Sequence, residues 1–131
     1  RKIIVDTNFL LIPIKFSVDI FSEFERICHF NFALFVFKPT IDELNGIIRK
    51  ASGKDKRAAK FGLRLIKLKN IHIIDPGNKA KAEVDELILK SVSKEDIVAT
   101  LDLELKRKLL EKRIPIIILR KKSYLEFVGN C

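Results

Sequence analysis

Cysteine is scarce. Cys28 and Cys131 are the only two in 131 residues. Cys28 falls in an expected helix and Cys131 is the final residue, so the pair reads as reduced thiols of a cytoplasmic chain rather than a disulfide framework. His29 and His72 stand alone, and no Cys/His set has zinc spacing. No run of eighteen apolar residues is free of charge, so no membrane span is expected. A secretory n-region, h-region and cleavage pattern is also missing, and Arg1 in place of Met points to a processed or trimmed start. Tyr124 is the sole tyrosine, and few aromatics are expected at the surface for stacking on bases. Repeats, low-complexity tracts and linkers are absent, and the length suits one domain spanning residues 1–131.

What is plentiful is apolar and positive. The hydrophobic fraction of 47% is enough for a real core, and 26 Lys and Arg against 17 Asp and Glu leave a formal charge of +9. The excess is concentrated. Arg49, Lys50, Lys54, Lys56, Arg57, Lys60, Arg64, Lys67 and Lys69 are opposed only by Asp55, and Lys106, Arg107, Lys108, Lys112, Arg113, Arg120, Lys121 and Lys122 form a second group. A field of this kind attracts polyanions, nucleic acid first. Solvated helix faces of a Lys- and Glu-rich, thermophile-like protein would look the same.

Apolar runs and breakers alternate along the chain. Ile3–Val5, Phe32–Phe37, Ile71–Ile74, Ile97–Thr100 and Ile116–Leu119 read as buried strands, and Tyr124–Val128 as a short edge strand. Between them, apolar residues at helical spacing predict helices from Val18 (capped by Ser17), from Thr40 through Ile48, over 55–68, 79–92 and 103–113. Continuous rather than alternating strand hydrophobicity suits a parallel sheet covered on both faces. Right-handed crossovers then give a three-layer α/β/α sandwich.

Four acids stand out. Asp6 ends the first apolar run at the C-terminal lip of its strand, where ligands of open parallel sheets bind; it could equally cap a turn. Asp102 repeats that setting after the fourth run, or caps the helix at Leu103. Glu43 could serve the site or close a capping box with Thr40. Asp85, between Glu83 and Glu86, is either a site residue or part of a solvated acidic face. If the first and fourth strands are neighbours, Asp6 and Asp102 face each other across the crevice. Crowded carboxylates repel, and a hard divalent cation resolves the conflict. Such a cation in a basic protein suggests work on a phosphodiester.

The segments KIIVDTNFLL, IDEL, AEVDELIL and ATLDLELKRKLLEKRIPIIIL together resemble the PIN domain family, in its archaeal VapC-like and rRNA-processing branches. The resemblance implies a five-stranded parallel sheet of order 3-2-1-4-5 and a ribonuclease dependent on one or two Mg²⁺ or Mn²⁺ ions. It places Asp6, Glu43, Asp85 and Asp102 at the catalytic and metal-binding positions, and Thr7, Asn8 and Thr100 at accessory polar ones. Leu101 departs from the pattern, since the family usually carries a polar residue between the Thr and Asp of T-x-D. Lys50, Lys54, Lys56, Arg57, Lys60, Arg107, Lys108 and Arg120 are the cations expected to hold RNA. A homodimer, an antitoxin and a ribosome-assembly partner are the further associations it implies, and no membrane. For a dimer, the Phe-rich segment from Phe16 to Phe37 would supply an apolar patch, unless its rings fill the core. The rivals to hydrolysis are a non-catalytic RNA-binding module, a toxin silenced by its antitoxin, and a phosphoacceptor domain using Asp6 or Asp102.

Overall fold

The computed structural model describes residues 1–77 and 83–129. Five parallel strands, β1 (Lys2–Val5), β2 (Ala33–Phe37), β3 (His72–Ile74), β4 (Ile97–Ala99) and β5 (Ile116–Arg120), form the sheet, with β6 (Tyr124–Val128) added at its edge. The order is β3-β2-β1-β4-β5-β6, with only the β5–β6 pair antiparallel. The parallel order 3-2-1-4-5 is the expected one; the sixth strand extends it through a tight turn in which Lys121 and Lys122 both take the left-handed conformation.

Strand residues alternate between the two faces of the sheet. Ile3, Val5, Ile97, Ala99 and Ile117 pack with Phe9, Leu10, Phe24 and Ala58 on one side. Ile4, Val98, Ile116 and Ile118 pack with Leu87, Ile88, Leu105 and Leu109 on the other. The first layer holds α1 (Ile12–Phe16), α2 (Ile20–Ile27), α3 (Lys38–Lys50) and α4 (Gly53–Leu68); the second holds α5 (Val84–Ser91) and α6 (Leu103–Glu111). That is the three-layer arrangement.

Three helix starts differ from expectation. After β1 the chain forms a short 3-10 helix, Thr7–Leu11, that the apolar run Phe9-Leu10-Leu11 conceals. Phe9, Leu10 and Leu11 are buried in the first core, and Gly62 of α4 packs so closely that a Cβ there would lie 3.3 Å from the Leu10 carbonyl oxygen. The next helix is capped by Asp19 rather than Ser17: Asp19 accepts from the Phe21 and Ser22 N–H groups, and Ser17 instead adopts the left-handed conformation that ends α1. α3 begins at Lys38, with Pro39 in its first turn, where a missing N–H costs nothing. Thr40 therefore lies inside the helix, and no Thr40–Glu43 capping box forms. The predicted helix over 79–92 is seen as Val84–Ser91; residues 79–82 lie outside the described residues.

Cys28 is buried, and Cys131 lies outside the described residues. Phe9, Phe21, Phe24, Phe30, Phe32 and Phe127 make a connected set of ring contacts at 5.9–6.5 Å, so most of the Phe-rich segment packs against the core. Among the described residues, no helix is long and apolar enough to cross a membrane.

Candidate active site

The register of β1 against β4 builds the centre. Val5 pairs with Ala99, and the Asp6 N–H continues the ladder to the Ala99 carbonyl at 2.9 Å. The next pair along is Asp6 and Thr100, both buried. The Thr100 hydroxyl donates to Asp6 Oδ2 at 2.8 Å, and the Thr7 N–H donates to Oδ1 at 2.9 Å. Thr100 Oγ1 in turn accepts from the Asp102 N–H at 3.1 Å. Asp102 then caps α6, accepting from the Glu104 and Leu105 N–H groups at 2.9 and 3.0 Å. Capping and site placement thus coexist at both Asp6 and Asp102. One hydroxyl fixes the spacing of the two strand-end acids.

The second half of the site comes from α3 and α5. Thr40 is fully buried, and its hydroxyl shares a 2.9 Å hydrogen bond with that of Thr7. Glu43 follows one turn later on the same face of α3. Asp85 sits in the first turn of α5, accepting from the Glu86 N–H at 3.0 Å. Asp6, Thr7, Asn8, Glu43, Asp85 and Asp102 line one polar pocket of about 160 Å³. Thr100 stands behind Asp6 rather than in the pocket wall. All four predicted acids therefore reach the same cavity.

Electrostatics mark the cluster as costly. Burial is the main cause that pushes the Asp6 carboxyl above its ordinary value, with the neighbouring charges of Asp102 and Asp85 adding to it against the pull of the Thr100 and Thr7 hydrogen bonds. Glu43 has an exposed outer side, yet desolvation of its carboxyl is the largest cause raising its pKa, and Asp6 and Glu83 add to it. Hydrogen bonding to Thr7 and the Val84 N–H opposes that rise.

Glu83 is the site residue that sequence reading passed over as part of a solvated face. It occupies the N-cap position of α5 without making a side-chain cap, and its carboxyl lines the pocket. Its place follows from the extended backbone at the start of α5, which the run E-V-D-E does not reveal. Lys106 lies outside the pocket wall; it is half-buried, and its pKa is lowered chiefly by burial, then by Arg120, with Asp102 opposing.

The predicted RNA-contacting cations separate into groups. Lys50 lines a groove contiguous with the acid pocket, together with Lys15 and Arg49. Lys54, Lys56, Arg57 and Lys60 lie along α4. Arg107, Lys108 and Arg120 are paired with Glu104, Glu111 and Glu126, which removes part of the positive field expected there.

The donor set is carboxylates with hydroxyls alongside, the oxygen chemistry a hard divalent cation takes. Among the described residues, no three acidic, His or Cys side chains stand at closed metal-ligand spacing. The carboxylates fit such an ion by type and by shared cavity, in an open arrangement.

A mostly parallel sheet with acids from four elements meeting at the C-terminal ends of its two central strands defines an α/β protein with an acidic lip site. The chain belongs to the PIN-like domain family, whose model matches residues 3–122. It is 36% identical to Ribonuclease VapC4 of Methanocaldococcus jannaschii over 98% of this chain and 97% of that one. It is 28% identical to Ribonuclease VapC9 of Archaeoglobus fulgidus over 98% and 91%. The fold superposes on the PIN domain endonuclease Utp24 with a TM-score of 0.76 at 20% identity, covering 98% of this chain and 93% of that one.

Proposed function

We propose that this protein is an endoribonuclease that hydrolyses RNA phosphodiester bonds with the help of one or two Mg²⁺ or Mn²⁺ ions. The observation that carries the reading is the convergence of Asp6, Glu43, Asp85 and Asp102 on one small cavity, at a cost in burial first and charge repulsion second that folding alone does not require. The family and the two relatives named ribonucleases support it.

Asp6, Asp85 and Asp102 would hold the metal, with Glu43 as a further ligand or as the group that orients the attacking water. Such a cation supplies a lowered pKa for water and polarises a phosphate oxygen. The chain's own contribution is order. Thr100 and the Thr7 N–H leave Asp6 no freedom to turn away, and the Glu104 and Leu105 N–H groups at the start of α6 fix the Asp102 carboxylate in place. The Thr7–Thr40 hydroxyl pair keeps a donor beside Glu43. Asn8, exposed at the pocket rim, offers an amide to a phosphate oxygen. Lys15, Arg49 and Lys50 attract the backbone without reading bases.

One feature favours a rival, a non-catalytic RNA-binding module of an rRNA-processing complex: Leu101 stands where the family usually carries a polar group. Incubation of generic RNA with purified protein in Mn²⁺ decides between them. Cleavage that chelator stops and Asp6→Asn abolishes supports hydrolysis. Equal RNA binding by both proteins with no cleavage by either establishes the module.

A further inference from the structure

Two recesses adjoin the acid pocket, and Asn8, Leu11 and Lys15 line both. The larger, about 740 Å³, is bounded by α1, α3 and α4 and meets the acid pocket at Thr7, Asn8 and Glu43; it carries Arg49, Lys50 and Lys15, the last 3.5 Å from Asp55, with Asp42 also in its lining. The smaller, about 310 Å³, meets the acid pocket at Asn8 and Asp102; Leu11, Phe16 and Leu101 form its apolar side, and Lys15, Asn8 and Asp102 its polar side. Phe16 and Leu101 are each half-buried, packed against the core while also lining the recess. Leu103, just past Asp102, is 79% exposed, so apolar surface continues outward from there.

The two chemistries alternate as a single-stranded RNA does, with anionic phosphates on one track and flat, largely apolar bases on another. A paired base is held in its stack and has no apolar face to offer such a recess. We propose that the recess of Leu11, Phe16 and Leu101 takes an unpaired base next to the scissile phosphate, while the strand on the other side runs along Lys15, Arg49 and Lys50. This deepens and rests on the nuclease reading. It gives Leu101 a positive role: the side chain that replaces a polar group is part of the wall of a base-binding recess.

Anisotropy of short labelled RNA on the Asp6→Asn protein in Mg²⁺ tests the recess without turnover. An abasic position scanned through the RNA is expected to weaken binding on the order of tenfold at one position beside the bound phosphate. Phe16→Leu, which keeps apolar volume and removes the ring face, and Leu101→Asn are expected to weaken intact RNA by a similar factor and leave that abasic RNA unchanged. Lys50→Gln is expected to weaken both RNAs equally and to lower the salt slope by about 0.7. Thermal melts of each variant confirm folding. A flat abasic scan, or variants that weaken intact and abasic RNA alike, overturns the recess. Wild-type cleavage in Mn²⁺, scored separately, reports on hydrolysis: cutting with a flat scan sinks the recess alone, and the expected scan without cutting sinks hydrolysis alone.

Discussion

Asp19 and Glu23 on α2, and Asp6 and Glu43 at the lip of the sheet, are the same two residue types in opposite circumstances. Asp19 accepts from two backbone N–H groups and from the Ser22 hydroxyl at 2.8 Å. Glu23 takes two bonds from Arg26, at 2.8 and 2.9 Å, and one from the Leu125 N–H at 2.8 Å. Hydrogen bonding is the leading cause that holds both carboxyls below their ordinary values. At the lip, burial leads instead, other acids add to it, and both pKa values rise. Glu23 ties the helix to β6, Asp19 caps the helix start, and both gain from being ionised. For the lip acids ionisation costs the fold, the sign of groups assembled for something other than stability.

That contrast can be broken at several points. The largest expected effect is on chemistry: Asp6→Asn should lower RNA cleavage on the order of a hundredfold or more, measured by initial rates in Mn²⁺. Thr100→Val removes the hydroxyl that joins Asp6 to Asp102, and should cost roughly 10- to 100-fold in rate or in metal affinity. Glu23→Ala should leave cleavage intact and act on the fold. It strips partners from Arg26 and the Leu125 N–H, costing about 1–2 kcal/mol, a drop in Tm of roughly 3–8 °C.

A subtler test reads the sign directly. Asp6 has a folded pKa above its ordinary 3.8, so the folded protein still holds this proton at pH values where the unfolded chain has released it. Its contribution to stability therefore falls as pH rises through that window, and at neutral pH its charge is a net cost. Asp6→Asn, whose amide oxygen can still accept from the Thr7 N–H, should melt about 1–3 °C above the parent at neutral pH without divalent ions, with the gap closing as pH falls toward 3.8. A gap independent of pH would contradict the assignment. The smallest effect belongs to an exposed pair: Arg107→Gln, which loses Glu104 and Glu111, should change stability by no more than about 0.5 kcal/mol in a denaturant melt.

Much of the sheet was legible because its strands are continuous apolar runs that breakers close off. Asp6 and Asp102 were legible as strand-end acids, since each follows such a run; that their strands are neighbours was implied only by the family resemblance. Glu83 could not: its role depends on where the chain enters α5, and nothing in E-V-D-E separates a pocket carboxylate from a solvated one. The capping-box reading of Thr40 failed because Pro39 is accommodated in the first turn of α3, which moves the helix start back two residues and frees the hydroxyl for Thr7. Ser17 lost the cap to Asp19 in the same way, since a carboxylate two residues on could reach two N–H groups. Charge counting overstated the basic surface near α6, because pairing with Glu104, Glu111 and Glu126 depends on helix and hairpin geometry.

Crystals soaked in Mn²⁺ and measured at an energy where manganese scatters anomalously would test the gathered-acid account most directly. It predicts a peak in the pocket bounded by Asp6, Glu43, Asp85 and Asp102, lost in Asp6→Asn crystals. Manganese that binds elsewhere, or not at all, in protein that still cleaves RNA would contradict it.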